Sequence, residues 1–288
     1  MKVSQVYKDK KDKKVLSFEI FPPKKDSELS NIDETLAVLC ELEPDYISVT
    51  FGAGGSSNCN RTIELAKKIK HEYHVEPVVH LTSLHYNKAE IDEFAKVLSE
   101  AGLENVLALR GDKNPNFPEK NDFSHASDLI AYMKEKWDFC FLGACYPECH
   151  PESGGVINEI RHLKTKVNAG AEVLLSQLFF DNDIFLRFQE YCRVADINVP
   201  VIPGIMPVIN AAQIKRMITM CGVAFPARFE KIIHRYEDNK EALFDAGMSY
   251  ALSQIIDLLV SDIEGIHLYT MNNPHVARRI CEGIKNII

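Results

Sequence analysis

A single carboxylate interrupts an apolar run near the N-terminus of the sequence. Residues 15–21 read VLSFEIF, a pattern typical of a buried β-strand. Pro22 and Pro23 end the run, because proline has no N–H to donate to a sheet. Burying Glu19 in such a strand is costly unless the carboxyl is paired or protonated. Glu19 is therefore either a satisfied structural group or an acid that the protein uses.

Polar residues also occur at the ends of most other apolar, strand-like runs. In parallel β/α folds these ends meet at one rim, so the pattern predicts a polar mouth suited to a large hydrogen-bonding ligand. Each residue also has a structural reading, such as a core histidine for His80 or a turn for Asn273. The residues in question are Thr50, His80, Thr82, Arg110, Asp112, Tyr146, Glu148, His150, Gln177, Asp181, His267, Tyr269, Thr270, Asn272 and Asn273.

The apolar runs alternate with helical patterns along the whole chain. Such alternation indicates parallel strands with right-handed crossovers and predicts an α/β fold, a single (β/α)₈ TIM barrel spanning residues 1–288. Residues 1–13 are expected to form a solvated N-terminal arm, and three extra helices are expected between strands seven and eight, over 210–221, 226–236 and 239–260. The predicted strands are 15–21, 45–52, 77–82, 105–110, 140–145, 172–180, 200–205 and 264–270.

An open doubly wound sheet is the competing architecture, because the same alternation allows it. The dinucleotide fingerprint GxGxxG does not follow the first strand. The glycine-rich FGAGGSS at residues 51–57 is a weak signal for a phosphate loop and fits a tight turn equally well.

Composition narrows the class of protein. The formal net charge of −8 argues against nucleic-acid and membrane-surface partners, and no apolar run approaches the ~18 residues of a membrane span. The eight cysteines lack the density of a secreted scaffold, so a cytoplasmic enzyme with reduced thiols is expected. Cys140, Cys145, Cys149 and His150 are spaced more widely than zinc ligands usually are, so we predict buried thiols and no metal site.

Nine short motifs, taken together, resemble one enzyme family. They occur in the family's order between about residues 15 and 285, and the chain is similar to the compact bacterial form of 5,10-methylenetetrahydrofolate reductase. The motifs are SFEIFPPK, SVTFGAGGS, HLTS, ALRGD, ASDL, CYPECHPE, SQLFFD, VIPGIMPV and HLYTMN.

The resemblance implies a flavoenzyme of one-carbon metabolism. It implies a (β/α)₈ barrel with FAD at the C-terminal mouth, held without a Rossmann motif. It also implies that NAD(P)H reduces the flavin and leaves, and that the folate then takes its place and receives a hydride. Members are typically homo-oligomers, and some work with a partner subunit.

The resemblance also implies roles for particular residues. Glu19 matches the general acid, Asp112 a second catalytic carboxylate beside the flavin, and Gln177 the residue that binds the pterin with Glu19. The positions that match FAD contacts are Thr50, Phe51, Ala53, His80, Arg110, Gly111, Asp112, Ala126, Tyr146, His150 and Lys166.

The chain departs from the family at several positions. Asn273 stands where the family commonly has an arginine, so we place Asn273 in the substrate site without assigning how the folate tail is held. Glu159 and Thr165 stand where relatives often have aspartate and arginine. The family's aromatic residue that stacks on the nicotinamide has no clear match, and the candidates are Phe229, Tyr236 and Ile233.

The expected chemistry explains why an acid is needed in the first strand. Methylenetetrahydrofolate holds its one-carbon unit in a five-membered ring, which must open to an iminium ion before hydride attack. Protonation of the departing nitrogen drives the opening, so the donor must be protonated near neutral pH. Desolvation favours the neutral form of a carboxyl, and the apolar strand supplies it. Two alternatives stay open: a pterin-binding methyltransferase barrel and a non-catalytic folate-binding subunit.

Overall fold

The barrel is built from parallel strands that follow one another around a ring. The computed structural model describes residues 1–10, 13–23, 29–51, 56–210 and 222–288. The strands are β1 (Val15–Ile20), β2 (Tyr46–Val49), β3 (Glu76–Thr82), β4 (Asn105–Leu109), β5 (Cys140–Cys145), β6 (Ala171–Ser176), β7 (Val201–Ile202), β8 (Gly204–Ile205) and β9 (Gly265–Tyr269).

Pro203 divides the strand that closes the ring. β7 pairs with β6 and β8 pairs with β9, so the two short strands are halves of the predicted seventh strand. Proline has no N–H to donate, but its carbonyl accepts from the His267 N–H at 3.0 Å. The order β7-β6-β5-β4-β3-β2-β1-β9-β8 therefore confirms the predicted (β/α)₈ barrel and excludes the open sheet.

Helices follow the strands and cover the outside of the barrel. Those within the described residues are α1 (Val3–Asp9), α2 (Leu29–Glu41), α3 (Ser56–His71), α4 (Lys88–Glu100), α5 (Ala126–Lys134), α6 (Val156–Ala169), α7 (Asn182–Val194), α8 (Ala227–Tyr236), α9 (Lys240–Val260) and α10 (Pro274–Ile284). Two of the three helices predicted before the last strand are confirmed as α8 and α9. Residues 211–221 of the third, predicted over 210–221, lie outside the described residues.

The N-terminal arm contains a helix that the sequence pattern does not predict. α1 buries Val3, Val6 and Tyr7 against residues inside the barrel, so the prediction of a solvated arm over residues 1–13 was wrong for this part. The Tyr7 hydroxyl lies 3.1 Å from the Tyr46 hydroxyl on β2. A seven-residue helix with charged neighbours has little signal of its own, and its burial comes from contact with the barrel.

The core has two layers, as strand alternation requires. Odd-numbered β1 residues such as Val15 face the barrel interior, whereas Leu16, Phe18 and Ile20 pack outward against the helices. By length and composition alone, α9 is long and apolar enough to cross a membrane, although no apolar run was expected to reach that length. It packs against α8 and α10 and buries Leu243, Ile255 and Leu258 among others, as core helices do.

Gly247 on α9 permits a close approach between this helix and the chain beyond β8. A Cβ added at this position would lie 1.7 Å from the Val208 carbonyl oxygen. Gly247→Ala is therefore expected to lower the free energy of unfolding by about 3 kcal/mol, the upper part of the range for an overpacked core. Gly283→Ala on α10 is the matched control, because its Cβ would meet only the movable end of Leu252. Equal losses in the two variants, measured by urea denaturation, would contradict this explanation.

Candidate active site

A cavity of about 900 Å³ opens at the C-terminal ends of the strands. Eleven of the residues predicted at the site line it, so strands far apart in sequence bring these side chains to one place. They are Glu19, Phe51, His80, Arg110, Gly111, Asp112, Ala126, Tyr146, His150, Lys166 and Gln177. Their roles remain predictions.

Two described residues among those predicted, Thr50 and Asn273, do not line the cavity. Thr50 accepts a hydrogen bond from the Thr62 hydroxyl through its carbonyl, at 3.0 Å, and does not line the cavity. Asn273 caps α10, where its Oδ1 accepts from the N–H groups of His275 and Val276 at 3.1 and 3.3 Å. Asn273 therefore has a structural contact here, as the cap of a helix. Ala53 lies outside the described residues.

Glu19 lies in the interior of the barrel below the cavity mouth. The strand register places Ser17 beside Tyr46 and His267, and Glu19 beside Ser48 and Tyr269. The Glu19 side chain is 21% exposed, so it is largely desolvated yet reachable from the cavity. Its Oε2 lies 3.5 Å from His80 Nε2 and 3.8 Å from His267 Nε2.

His267 is fully buried, and both of its ring nitrogens face serine hydroxyls. The Ser17 hydroxyl donates its only proton to the Ile266 carbonyl at 3.2 Å and lies 2.8 Å from His267 Nδ1. Nε2 lies 3.3 Å from the Ser48 hydroxyl and faces Glu19.

His80 is the second imidazole beside Glu19. Burial lowers the pKa of His80 to about 4, against a smaller opposing effect of Glu19. His80 is therefore neutral near pH 7. Its Nε2 is buried and has no hydrogen-bond partner within the part of the chain that the structure describes. Such an orphaned polar atom at the floor of a cavity is suited to a ligand that supplies the missing partner.

The depressed pKa of His80 predicts a specific loss of stability in acid. As pH falls below 6.5 the unfolded chain binds a proton that the folded protein binds only near pH 4. Stability from this source is thus complete above pH 6.5 and falls by about 3 kcal/mol by pH 4. His80→Gln cannot titrate, so the difference between the unfolding free energies of native protein and variant should change across this range. A difference that is constant from pH 7 to pH 4 would contradict the assignment.

Cationic groups lie on the side of the cavity formed by β4, β5 and α6. Arg110 forms a bidentate ion pair with Glu152, with N···O distances of 2.5 and 3.1 Å. The Lys166 ammonium donates to the Ala144 carbonyl, and burial lowers the pKa of this lysine. The first residue of α5, Ala126, also lines the cavity, and the start of a helix favours anions. Together these groups could hold a phosphate-bearing cofactor.

Aromatic and amide groups complete the lining. Burial raises the pKa of Tyr146 to about 12, and its ring packs edge-on against His150 with centroids 4.9 Å apart. Gln177 Oε1 accepts from the Leu178 N–H at 2.9 Å. Gly111 has a φ of +88°, and an added Cβ would lie 3.0 Å from Thr82 Cβ, so glycine is needed where the chain turns into the cavity.

The cysteine cluster and the aromatic candidates are placed away from such roles. Cys140 packs inside the barrel and Cys145 outside it, because residues five apart on a strand face opposite sides. Among the described residues, no group of three or more His, Cys, Asp and Glu side chains is arranged to hold a metal ion. Phe229 and Ile233 are buried, and Phe229 stacks on Tyr250 with centroids 3.9 Å apart, whereas Tyr236 is exposed.

Several site residues received no role from the sequence. Ser17, Ser48 and His267 surround Glu19, Glu152 pairs with Arg110, and His85 lines the cavity. A signal existed for the first group, since Ser17 and Glu19, and likewise His267 and Tyr269, repeat at the two-residue period of one strand face. No comparable signal marks Glu152 or His85.

Comparison with known proteins shows the family that this chain matches. The family model described as methylenetetrahydrofolate reductase matches residues 2–285. The chain is 36% identical to methylenetetrahydrofolate reductase (NADH) 1 of Arabidopsis thaliana over 89% of this chain and 46% of that protein. It is 34% identical to 5,10-methylenetetrahydrofolate reductase of Escherichia coli strain K12 over 93% of this chain and 90% of that protein.

Similarity to solved structures concerns the fold. A protein from Clostridium thermocellum that binds two copies of 5-methyl-5,6,7,8-tetrahydrofolic acid superposes with a TM-score of 0.65, at 15% identity, over 96% of each chain. The chain spans about half the length of the plant relatives that it matches and most of the length of the bacterial ones. On the family match and these relatives, the chain belongs to the methylenetetrahydrofolate reductase family.

Proposed function

We propose that this protein reduces 5,10-methylenetetrahydrofolate to 5-methyltetrahydrofolate with electrons from NAD(P)H, by a ping-pong reaction through FAD. The observation that carries the proposal is the meeting of Glu19, Asp112 and Gln177 in one cavity. Glu19 lies on β1, Asp112 follows β4 and Gln177 follows β6, so an acid, a second carboxylate and an amide line one cavity. The names and lengths of the bacterial relatives support the same activity.

The cavity residues fit FAD. Lys166, Arg110 and the start of α5 supply positive charge for a pyrophosphate, and His80 offers a buried nitrogen that lacks a partner. Arg110 would exchange Glu152 for a phosphate oxygen when the cofactor enters. FAD, when bound, supplies hydride chemistry that the side chains do not have.

Glu19 acts as the general acid. Its Oε2 lies 3.5 Å from Nε2 of His80 and 3.8 Å from Nε2 of His267, in a largely desolvated position that the cavity reaches. Its proton passes to the departing nitrogen of the folate ring and opens that ring. Gln177 can donate and accept at once, which matches the amide-like edge of a pterin.

The visible spectrum of the purified full-length chain tests the proposal. A flavin spectrum that NADH or NADPH bleaches without oxygen, and that methylenetetrahydrofolate restores, is the expected result. A colourless protein that binds folate would instead identify a methyltransferase-type barrel or a binding subunit. Bleaching that occurs only after another protein is added would show that a partner subunit supplies the electrons.

A further inference from the structure

The loop between β4 and α5 contains Asp112, which lines the cavity, and Leu84 forms hydrogen bonds at both ends of this loop. The Leu84 N–H donates to the Arg110 carbonyl at 2.8 Å, and the Lys120 N–H donates to the Leu84 carbonyl at 2.8 Å. The two ends of residues 111–119 are therefore close together, beside the end of β3. A segment of this length with its ends held together is an Ω-loop, which needs internal contacts to keep one shape.

His85 supplies such contacts from inside the loop. Its Nε2 lies 3.0 Å from the Asp112 carbonyl oxygen and its Nδ1 lies 3.2 Å from the Pro118 carbonyl oxygen. The ring also packs against Phe117, with centroids 6.1 Å apart. One imidazole thus joins the first part of the loop to its last part.

Both partners of the His85 ring are carbonyl oxygens, and this determines how many protons the ring needs to bond to both. A carbonyl oxygen only accepts hydrogen bonds, so each ring nitrogen must donate. A neutral imidazole has one N–H and can make one of the two bonds, whereas the imidazolium ion makes both. The second bond is therefore present only while the ring carries both protons.

We propose that His85 is a positioning residue for Asp112, and that its doubly protonated ring ties the Asp112 and Pro118 carbonyls together and so holds the Asp112 carboxylate at the cavity. The loop is then tightest when His85 is charged and loosens as His85 loses its proton. The consequence for catalysis rests on the proposed function, whereas the loop contacts do not.

Charged groups surround this ring on each packed element. Asp112 and Lys113 line the cavity beside it, Lys113 pairs with Glu119 at 3.4 Å, and Lys120 pairs with Glu90 of α4 at 2.6 Å. His125 lines the same cavity ahead of α5 and lies 3.8 Å from Asp128. Because His125 is a second imidazole at this cavity, the test must observe His85 individually.

Hydrogen exchange and histidine NMR on the full-length chain, without added ligands, test the inference. His85→Ala should speed exchange of the amides in residues 111–119 about tenfold at pH 6, after correction for intrinsic rates, and less at pH 8. His85→Gln keeps a neutral donor, so its loop protection should be intermediate and independent of pH. His71→Ala is the matched control, since His71 Nε2 lies 3.0 Å from one carbonyl, that of Ala101, away from the cavity.

Nitrogen-15 shifts of His85 should show both ring nitrogens protonated at pH 6, and the same titration should govern loop protection. A ring that carries one proton throughout, or loop exchange that His85→Ala leaves unchanged, would overturn the proposal. These readouts need no flavin or folate. If the protein fails to reduce folate while the loop behaves as described, the proposed function fails and this inference stands.

Discussion

Glu19→Gln is expected to slow folate reduction by about 10²–10⁴-fold, the usual contribution of a general acid, while flavin reduction by NAD(P)H stays within a few-fold of the native rate. Glutamine keeps the size and polarity of the side chain but has no proton of suitable acidity to give to the folate nitrogen. Stopped-flow measurement of the two half-reactions separately is the direct test, because only the folate half-reaction needs the ring to open.

Glu100→Gln is the matched control for this experiment. Glu100 is an exposed residue at the end of α4, where it pairs weakly with Lys96 at 3.8 Å. It should leave both half-reactions unchanged. Equal loss of the two half-reactions in Glu19→Gln would mean that Glu19 serves cofactor binding or folding, and the role of acid would then be withdrawn.

Asp112→Asn is expected to raise the reduction potential of the bound flavin by about 20–60 mV, the equivalent of about 1–3 kcal/mol for a two-electron couple. A carboxylate near the flavin disfavours its anionic reduced form, so the native residue makes the reduced flavin a better hydride donor. Removing the charge should therefore slow hydride transfer to the folate. Equilibrium titration against redox dyes measures the potential, and stopped-flow kinetics measures the rate.

Asp138→Asn is the control for a change in charge alone. Asp138 is almost fully exposed and pairs with Lys2 near the N-terminal ends of the strands, opposite the cavity. Its replacement changes the net charge by the same amount and should leave the potential unaltered. A potential that is unchanged in Asp112→Asn as well would remove the electrostatic explanation, and a direct contact between Asp112 and the folate would become the better account of any loss of rate.

Much of the architecture was readable from local patterns. Strand and helix periods are set by the backbone itself, so the alternation from Val15 to the last helix predicted the barrel, and polar strand ends such as Asp112 and Gln177 predicted the rim. Glu19 stood out because a carboxylate in an apolar strand demands a reason. The assignment of a particular chemistry to it came from the family resemblance.

The environment of Glu19 was settled by the tertiary structure. Ser17 and His267 are 250 positions apart in the chain, and only the parallel register of β1 and β9 brings Ser17 Oγ to 2.8 Å from the ring. The same holds for the Arg110–Glu152 pair and for His85 inside its loop. Hydrogen-bond partners depend on distances of a few ångströms between distant segments, and residue spacing along the chain carries no such information.

Two further features also separate what the local sequence pattern indicates from what the tertiary structure decides. Pro203 lies within the closing strand predicted over 200–205, but only the structure shows that its carbonyl is paired and that its missing N–H falls between two short ladders. α1 is too short to be stable alone and forms where Val3 and Tyr7 find buried partners in the barrel. Apart from α1, the sequence by itself determined the order and type of the described elements and where an acid could lie, since these follow from local periodicity and polarity. The tertiary structure alone decided which groups surround that acid, because closure of the ring sets their distances.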